Sequence, residues 1–231
     1  MPSHHAVAGN SIQILYLGGA SLFSGVRTAR PAHCYDGRVI PSASLALPRP
    51  LCTVFLDRDG ILNEKAPEDA YIARWEDFRI LPDVPGAIAR LNRARLRVIV
   101  VSNQRGIARG LYTEADVESI HTRFQQLLRT HGARIDAFFI CPHDEGQCNC
   151  RKPLTGMFDQ AVARFPRISP ATSVMIGDSA ADIEFARRLG MATVFIEGDP
   201  ALHKPGTAAA GAASPRFTSL AQAVDALLAG R

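Results

Sequence analysis

The chain has 231 residues, 47% of them hydrophobic and 21% charged, an ordinary globular composition; no apolar run approaches the ~20 residues of a membrane helix. Its formal charge of +4 is uneven, because residues 1–50 set four arginines (Arg27, Arg30, Arg38, Arg49) against Asp36 and leave residues 51–231 at a net +1. That near-neutral part offers no overall basic field for nucleic acid, and Ile12–Leu17 lacks the basic segment that precedes a secretory signal.

Residues 1–50 are rich in Ser, Ala, Gly and Pro and lack sustained periodicity. They read as a disordered extension, or a misassigned start, with a short strand conceivable at 12–17. From Leu51 the pattern alternates. A strand is predicted over 53–56, then a long connection, 57–83, and a helix over 84–94 with Pro85 in its first turn. A Val/Ile-rich strand over 97–101 precedes a helix over 114–130. Thr113 and Asp116 have capping-box spacing there, and Val117, Ile120, Phe124, Leu127 and Leu128 fall at helical intervals. Further strands are predicted over 137–141, 173–176 and 192–196, and further helices over 154–165, 180–189 and 220–228. This alternation predicts an α/β domain over 51–231, a Rossmann-like parallel sheet flanked by helices. Fewer than 30 residues are available in 57–83, too few for a large cap domain.

Each buried strand delivers polar groups at its carboxyl end. Val54-Phe55-Leu56 runs into Asp57-Arg58-Asp59-Gly60. Two neighbouring carboxylates repel unless a cation or proton holds them together, so this pair points to a metal-assisted nucleophile and acid/base. The second strand gives Ser102-Asn103-Gln104 and then Gly106-Ile107-Ala108-Arg109-Gly110. The third leads through Cys141-Pro142-His143 to Arg151-Lys152-Pro153. The fourth gives Gly177-Asp178, with Asp182 four residues on. In a parallel sheet these ends lie on one edge and converge.

The chain has five cysteines, Cys34, Cys52, Cys141, Cys148 and Cys150. An odd count with three of them crowded beside a histidine fits metal binding in a reducing, cytoplasmic setting better than disulfides. Cys141-x-His143 and Cys148-x-Cys150 are separated only by Asp144 to Gln147. They supply a closed tetrahedral set for Zn²⁺, so the expected zinc is structural and fixes the loop carrying Arg151 and Lys152. Cys34 and Cys52 are expected to be inert. His121 is expected at the boundary or surface of its helix, and Trp75 is expected to pack.

In this order, the Asp-x-Asp-Gly, Ser-Asn-Gln, Lys and Gly-Asp-x-x-x-Asp motifs resemble those of the haloacid dehalogenase superfamily of phosphohydrolases over about 53–197. Asn63, Gly106 to Gly110 and the Cys/His loop resemble the D-glycero-D-manno-heptose 1,7-bisphosphate 7-phosphatases, with the histidinol phosphatases as a close branch. The resemblance implies that Asp57 attacks phosphorus and that Asp59 serves as acid and then base. It implies Mg²⁺ on Asp57, the Asp59 carbonyl and Asp178, and Ser102 and Lys152 on the transferring phosphoryl group. Asp182 either orients the metal shell or is an exposed helix residue. Asn63, Asn103, Gln104, Arg109 and Arg151 are expected at the substrate, the two arginines through guanidinium forks on a distal phosphate. For Arg109 a solvated loop position is an equal alternative.

The expectation is therefore a monomeric, zinc-stabilised, magnesium-dependent phosphomonoesterase acting on a small phosphorylated metabolite, first a heptose 1,7-bisphosphate. Histidinol phosphate is the second substrate, favoured by the short spacer between the ligand pairs. A nucleic-acid 3′-end phosphatase is the rival from another class, and no nucleic-acid or membrane partner is expected.

Overall fold

The computed structural model describes Pro48 and residues 50–67, 70–198 and 214–229. The reading of 1–50 as an extension, the possible strand at 12–17 and Cys34 lie outside the described residues. Six strands form one parallel sheet in the order β3-β2-β1-β4-β5-β6. They are β1 (Thr53–Leu56), β2 (Arg97–Asn103), β3 (Ala137–Cys141), β4 (Ser173–Gly177), β5 (Ala192–Ile196) and β6 (Arg216–Phe217). The helices are α1 (Val84–Arg93), α2 (Arg105–Ala108), α3 (Glu114–Thr130), α4 (Gly156–Arg164), α5 (Ala180–Leu189) and α6 (Leu220–Ala229).

Strand alternation divides the core. Val54 and Leu56 of β1 face one side with Val98, Val100, Val174 and Ile176, where Ile88, Leu91, Phe124 and Val224 cover them. Phe55 faces the other side with Ile99, Val101 and Met175, against Met157, Phe158 and Phe185 from α4 and α5. Both faces of the sheet are thus buried, as a parallel sheet requires. β1 pairs with β2 on one side and β4 on the other. The chain winds outward from β1 to β3, then crosses back to β4. The carboxyl ends of β1 and β4 therefore flank the point where the strand order reverses, the usual place for a ligand crevice.

Several boundaries differ from the sequence expectation. β2 runs on to Asn103, because Ser102 and Asn103 continue the pairing with Ile140 and Cys141. Ser102 and Asn103 are thus strand residues, held more rigidly than a loop would hold them. A short helix, α2, fills what read as a loop, and the two-residue β6 at the sheet edge was missed. The helix predicted from 154 starts at Gly156. Thr113 and Asp116 do form a capping box on α3. Among the described residues, the 57–83 connection carries only a 3₁₀ turn, Trp75–Asp77, and two isolated bridges, and Trp75 stacks on Phe78. His121 is a correction: it is buried on α3 and stacks on Phe138 at 4.1 Å.

Candidate active site and metal-binding loop

Asp57 follows β1, and its amide continues the ladder by donating to the Ile176 carbonyl at 3.0 Å. Its carboxylate meets Lys152, which is 3% exposed. The ammonium group donates to Asp57 Oδ1 at 2.8 Å, to Asp182 Oδ1 at 2.6 Å and to the Val101 carbonyl at 2.8 Å, which uses all three of its donors. Asp182 is fully buried, so the exposed alternative for it is excluded. Its second oxygen accepts from the Ser179 hydroxyl and amide, so it closes the capping box of α5 while neutralising Lys152.

Asp57, Asp178 and Asp182 bring ligand atoms within 4.8 Å of one another. Burial, reinforced by Asp182 and opposed by Lys152, pushes Asp57 up to about 7. Burial likewise raises Asp178, against the pull of Lys65. Asp178 Oδ1 is buried with no hydrogen-bond partner among the described residues. A crowd of carboxylates that resists ionisation, with one oxygen left unpaired, suits a hard divalent cation such as Mg²⁺. Gly60, at φ +90°, leaves room for this group, since a Cβ there would overlap the Asp178 carboxylate.

Asp59 sits in a separate socket. Arg58, only 1% exposed, donates from Nε and Nη2 to its two oxygens at 3.1 and 3.0 Å. Asn63 donates at 2.8 Å and Gln104 at 3.2 Å. Burial pushes Asp59 up, but Arg58 and these hydrogen bonds outweigh it and hold the carboxyl below its usual range. Tyr112 extends the network by donating to Gln104 Oε1 at 2.9 Å. Burial pushes this phenol up to about 12. Ser102 Oγ accepts from Gln104 at 2.8 Å, which leaves its own proton to donate elsewhere.

The amides of Asn63, Gln104 and Asn103, expected at the substrate, are engaged with protein groups in the structure. Asn63 and Gln104 are 0% and 2% exposed, with their amide groups on Asp59 and its neighbours. Asn103 grips the backbone of Lys152 with both ends of its amide. Each amide thus meets a charged side chain or the backbone of a charged residue. Arg58 and Lys65 were missed. Arg58 left a signal: in extended chain it points opposite Asp57 and Asp59, and so inward. Lys65, on an irregular connection, left none, yet its ammonium lies 2.7 Å from Asp178 Oδ2.

Arg109 is exposed; it donates to the Tyr71 hydroxyl at 3.0 Å and lies 3.9 Å from Asp144. Arg105 pairs with the same Asp144 at 2.5 Å. The two arginines therefore tie α2 to the Cys/His loop and to the 57–83 connection. Arg151 is half-buried, with Nη1 unpartnered.

In that loop, Cys141 and Cys148 sulfurs lie 3.5 Å apart, Cys148 and Cys150 3.3 Å, and His143 Nδ1 lies 3.4 Å from Cys150 and 3.8 Å from Cys141. A tetrahedron with zinc–sulfur bonds of the usual length has edges of about 3.8 Å. The four donors therefore fit one Zn²⁺ with little adjustment. Burial raises the Cys141 and Cys150 thiols, while neighbouring donors, against burial, bring Cys148 down to about 7.

A HAD-hydrolase-like family model matches residues 149–223. The D-glycero-alpha-D-manno-heptose-1,7-bisphosphate 7-phosphatase of Mycobacterium tuberculosis is 38% identical over 140 residues, 60% of this chain and 73% of the relative. The chain belongs to the heptose-1,7-bisphosphate 7-phosphatase family of haloacid dehalogenase-like hydrolases. A family member from Rhodopseudomonas palustris, named for the beta anomer, is 39% identical over 153 residues, 63% of this chain and 83% of its own length. The B. bronchiseptica D,D-heptose 1,7-bisphosphate phosphatase, solved with magnesium and phosphate, superimposes with a TM-score of 0.71 at 32% identity, over 78% of this phosphatase and all of that chain. This phosphatase is thus a phosphoric monoester hydrolase by family, and no helix among its described residues is long and apolar enough to cross a membrane.

Proposed function

We propose that this phosphatase removes the 7-phosphate of D-glycero-D-manno-heptose 1,7-bisphosphate through an aspartyl phosphate on Asp57, with Mg²⁺. The observation that carries the reading is the juxtaposition of Asp57 with Lys152 and the Asp178–Asp182 carboxylates at the switch point of the sheet. The names of the relatives support the substrate, and the magnesium and phosphate bound by the B. bronchiseptica enzyme support the metal.

Asp57, the Asp59 backbone carbonyl and Asp178 would hold Mg²⁺. The ion supplies the positive charge that keeps Asp57 ionised and lets an anionic carboxylate meet an anionic phosphate. An Asp57 oxygen attacks phosphorus, the bond from phosphorus to the sugar oxygen breaks, and Asp59 gives that oxygen a proton. Water then attacks the same phosphorus and passes a proton to Asp59. The Asp57–phosphorus bond breaks and phosphate leaves. In the resting geometry Arg58 favours ionised Asp59, the form needed as base. A dianionic phosphate arriving beside Asp59 acts in the opposite direction and favours the donating form. Lys152 shifts from Asp57 toward the transferred phosphoryl oxygens, and the Ser102 hydroxyl donates to them.

Arg109 and Arg151 are the candidates for the distal phosphate. Cys141, His143, Cys148 and Cys150 would hold a zinc with no open position, so the ion would fix the Arg151–Lys152 loop rather than activate water.

The test is phosphate release from the heptose 1,7-bisphosphate anomers, histidinol phosphate and 3′-phosphorylated oligonucleotides, with and without Mg²⁺. A Mg²⁺-dependent preference of at least ~100-fold in kcat/KM for a heptose bisphosphate is expected, about 2.7 kcal/mol of discrimination. A preference for histidinol phosphate or for the oligonucleotide would overturn the substrate, and full activity in excess chelator would overturn the metal.

A further inference from the structure

Lys65 has no part in the scheme above, yet its ammonium is paired with Asp178. Its Nζ lies 2.7 Å from Asp178 Oδ2, while Oδ1 of the same carboxylate is buried without a hydrogen-bond partner among the described residues. We propose that Lys65 is a tethered counter-ion that competes with the divalent cation for Asp178 and keeps the magnesium affinity of the site low. This rests on the metal reading given above.

The placement is built into the chain. Lys65 follows two anchored residues. Asn63 is fully buried, bridges to Asp59 and Ile80, and donates to the Glu64 carbonyl at 2.8 Å; the Glu64 amide donates to Arg79 at 2.8 Å. The stem of Lys65 therefore starts from a fixed point, and its ammonium reaches only a short way into solvent, the side chain being 26% exposed. Gly60 clears the space beside Asp178 Oδ2, the oxygen that Lys65 takes.

Charge explains the consequence. Asp57, Asp178 and Asp182 face two ammonium groups, Lys152 and Lys65. With all three carboxylates ionised and both lysines engaged, the cluster carries one net negative charge. A dication arriving next to Asp178 meets Lys65 at short range in a half-buried site, where like charges interact strongly and salt screens them little. Part of the attraction of the carboxylates is thereby cancelled. A dianionic phosphate that enters with the metal restores the balance, and by linkage each raises the affinity of the other. The lysine thus favours loading of metal together with substrate over metal alone.

Calorimetric titration of MgCl₂ into the wild-type protein, Lys65→Met and Lys65→Arg tests this, with the Mg²⁺-induced Tm shift of each as a second readout. Lys65→Met should bind Mg²⁺ about tenfold more tightly than wild type and show the larger Tm shift, and Lys65→Arg should stay within about twofold of wild type. Lys65→Gln serves as the neutral variant if Lys65→Met is not folded. Wild-type binding with equal or weaker binding by the neutral variants overturns the competition and leaves the metal reading intact. Absence of Mg²⁺ binding by all variants overturns both.

Discussion

Asn103 holds Lys152 by the backbone on both sides of one residue: its Nδ2 donates to the Lys152 carbonyl at 3.0 Å, and its Oδ1 accepts from the Lys152 amide at 2.9 Å. The two residues are 49 positions apart. β2 is thereby locked to the loop that carries the lysine, and the ammonium is delivered onto Asp57 with its stem already fixed. The general cation of the site is positioned by a neutral amide whose own polar atoms face the backbone.

Asn103→Ala removes both bonds. Misplacement of a catalytic group by about 1 Å costs on the order of 10²-fold in rate. The expected result is a loss of that order in kcat with KM changed only a few-fold. A loss confined to KM would return Asn103 to the substrate-contact role first expected from the sequence.

Asp57→Asn removes the attacking oxygen's charge and also one of three crowded carboxylates. Activity should fall by about 10³-fold or more. Because burial, Asp182 and Asp178 make an ionised Asp57 unfavourable in the metal-free protein, that variant should denature at a higher urea concentration than wild type when both are measured without Mg²⁺. Full Mg²⁺-dependent phosphate release by Asp57→Asn would falsify the covalent route.

Zinc removal should act at a distance. The Cys/His cluster ends one residue before Arg151, and Asp144 within it is paired with Arg105. A strong chelator, or Cys148→Ser, should lower Tm by about 10 °C or more and reduce activity in parallel, as loss of a structural metal does. Metal analysis of the purified chain should give about one zinc per molecule, the count a closed four-ligand site implies. Added Mg²⁺ alone should not restore activity to the chelated protein. Restoration by Mg²⁺ alone would place the zinc outside the loop's architecture.

The strand ends and the Cys/His quartet were legible in the sequence because each is a local pattern with a mechanism. A run of apolar residues ending in Asp57 and Asp59, or four soft ligands within ten residues, constrains its own geometry. The contacts of Gln104 and Asn103 were not legible, because each depends on a partner supplied by the fold. Gln104 meets Asp59 across 45 positions, and Asn103 meets Lys152 across 49. Sequence could nominate these amides as site residues, but whether they face the substrate or the charged residues behind it is decided by the register of β2 with β3. Lys65 is the extreme case, with 113 positions between it and Asp178 and no periodic element to aim it.

His121 shows a different kind of miss and yields the last prediction. It lies four residues after Val117 and three before Phe124, so the helical period alone puts it on the buried stripe. Its polarity argued for the boundary. The fold resolves the conflict by stacking the imidazole on Phe138 and leaving Nε2 without a partner. Burial, with the nearby Arg58 charge and against the weaker pull of Asp59, lowers its pKa from 6.5 to about 3. A base whose pKa falls on folding binds fewer protons in the native state, so its stability contribution is fully present above pH 6.5 and is lost as pH falls from 6.5 toward 3. Between pH 7 and pH 4.5 the loss amounts to roughly 2–3 kcal/mol at most. His121→Phe keeps an aromatic ring against Phe138 and cannot be protonated. Urea unfolding of both proteins at pH 7.5, 6 and 5 should show wild type weakening more steeply with acid than His121→Phe. Parallel slopes would mean that His121 becomes charged without cost, and that the stacked, buried imidazole is open to water.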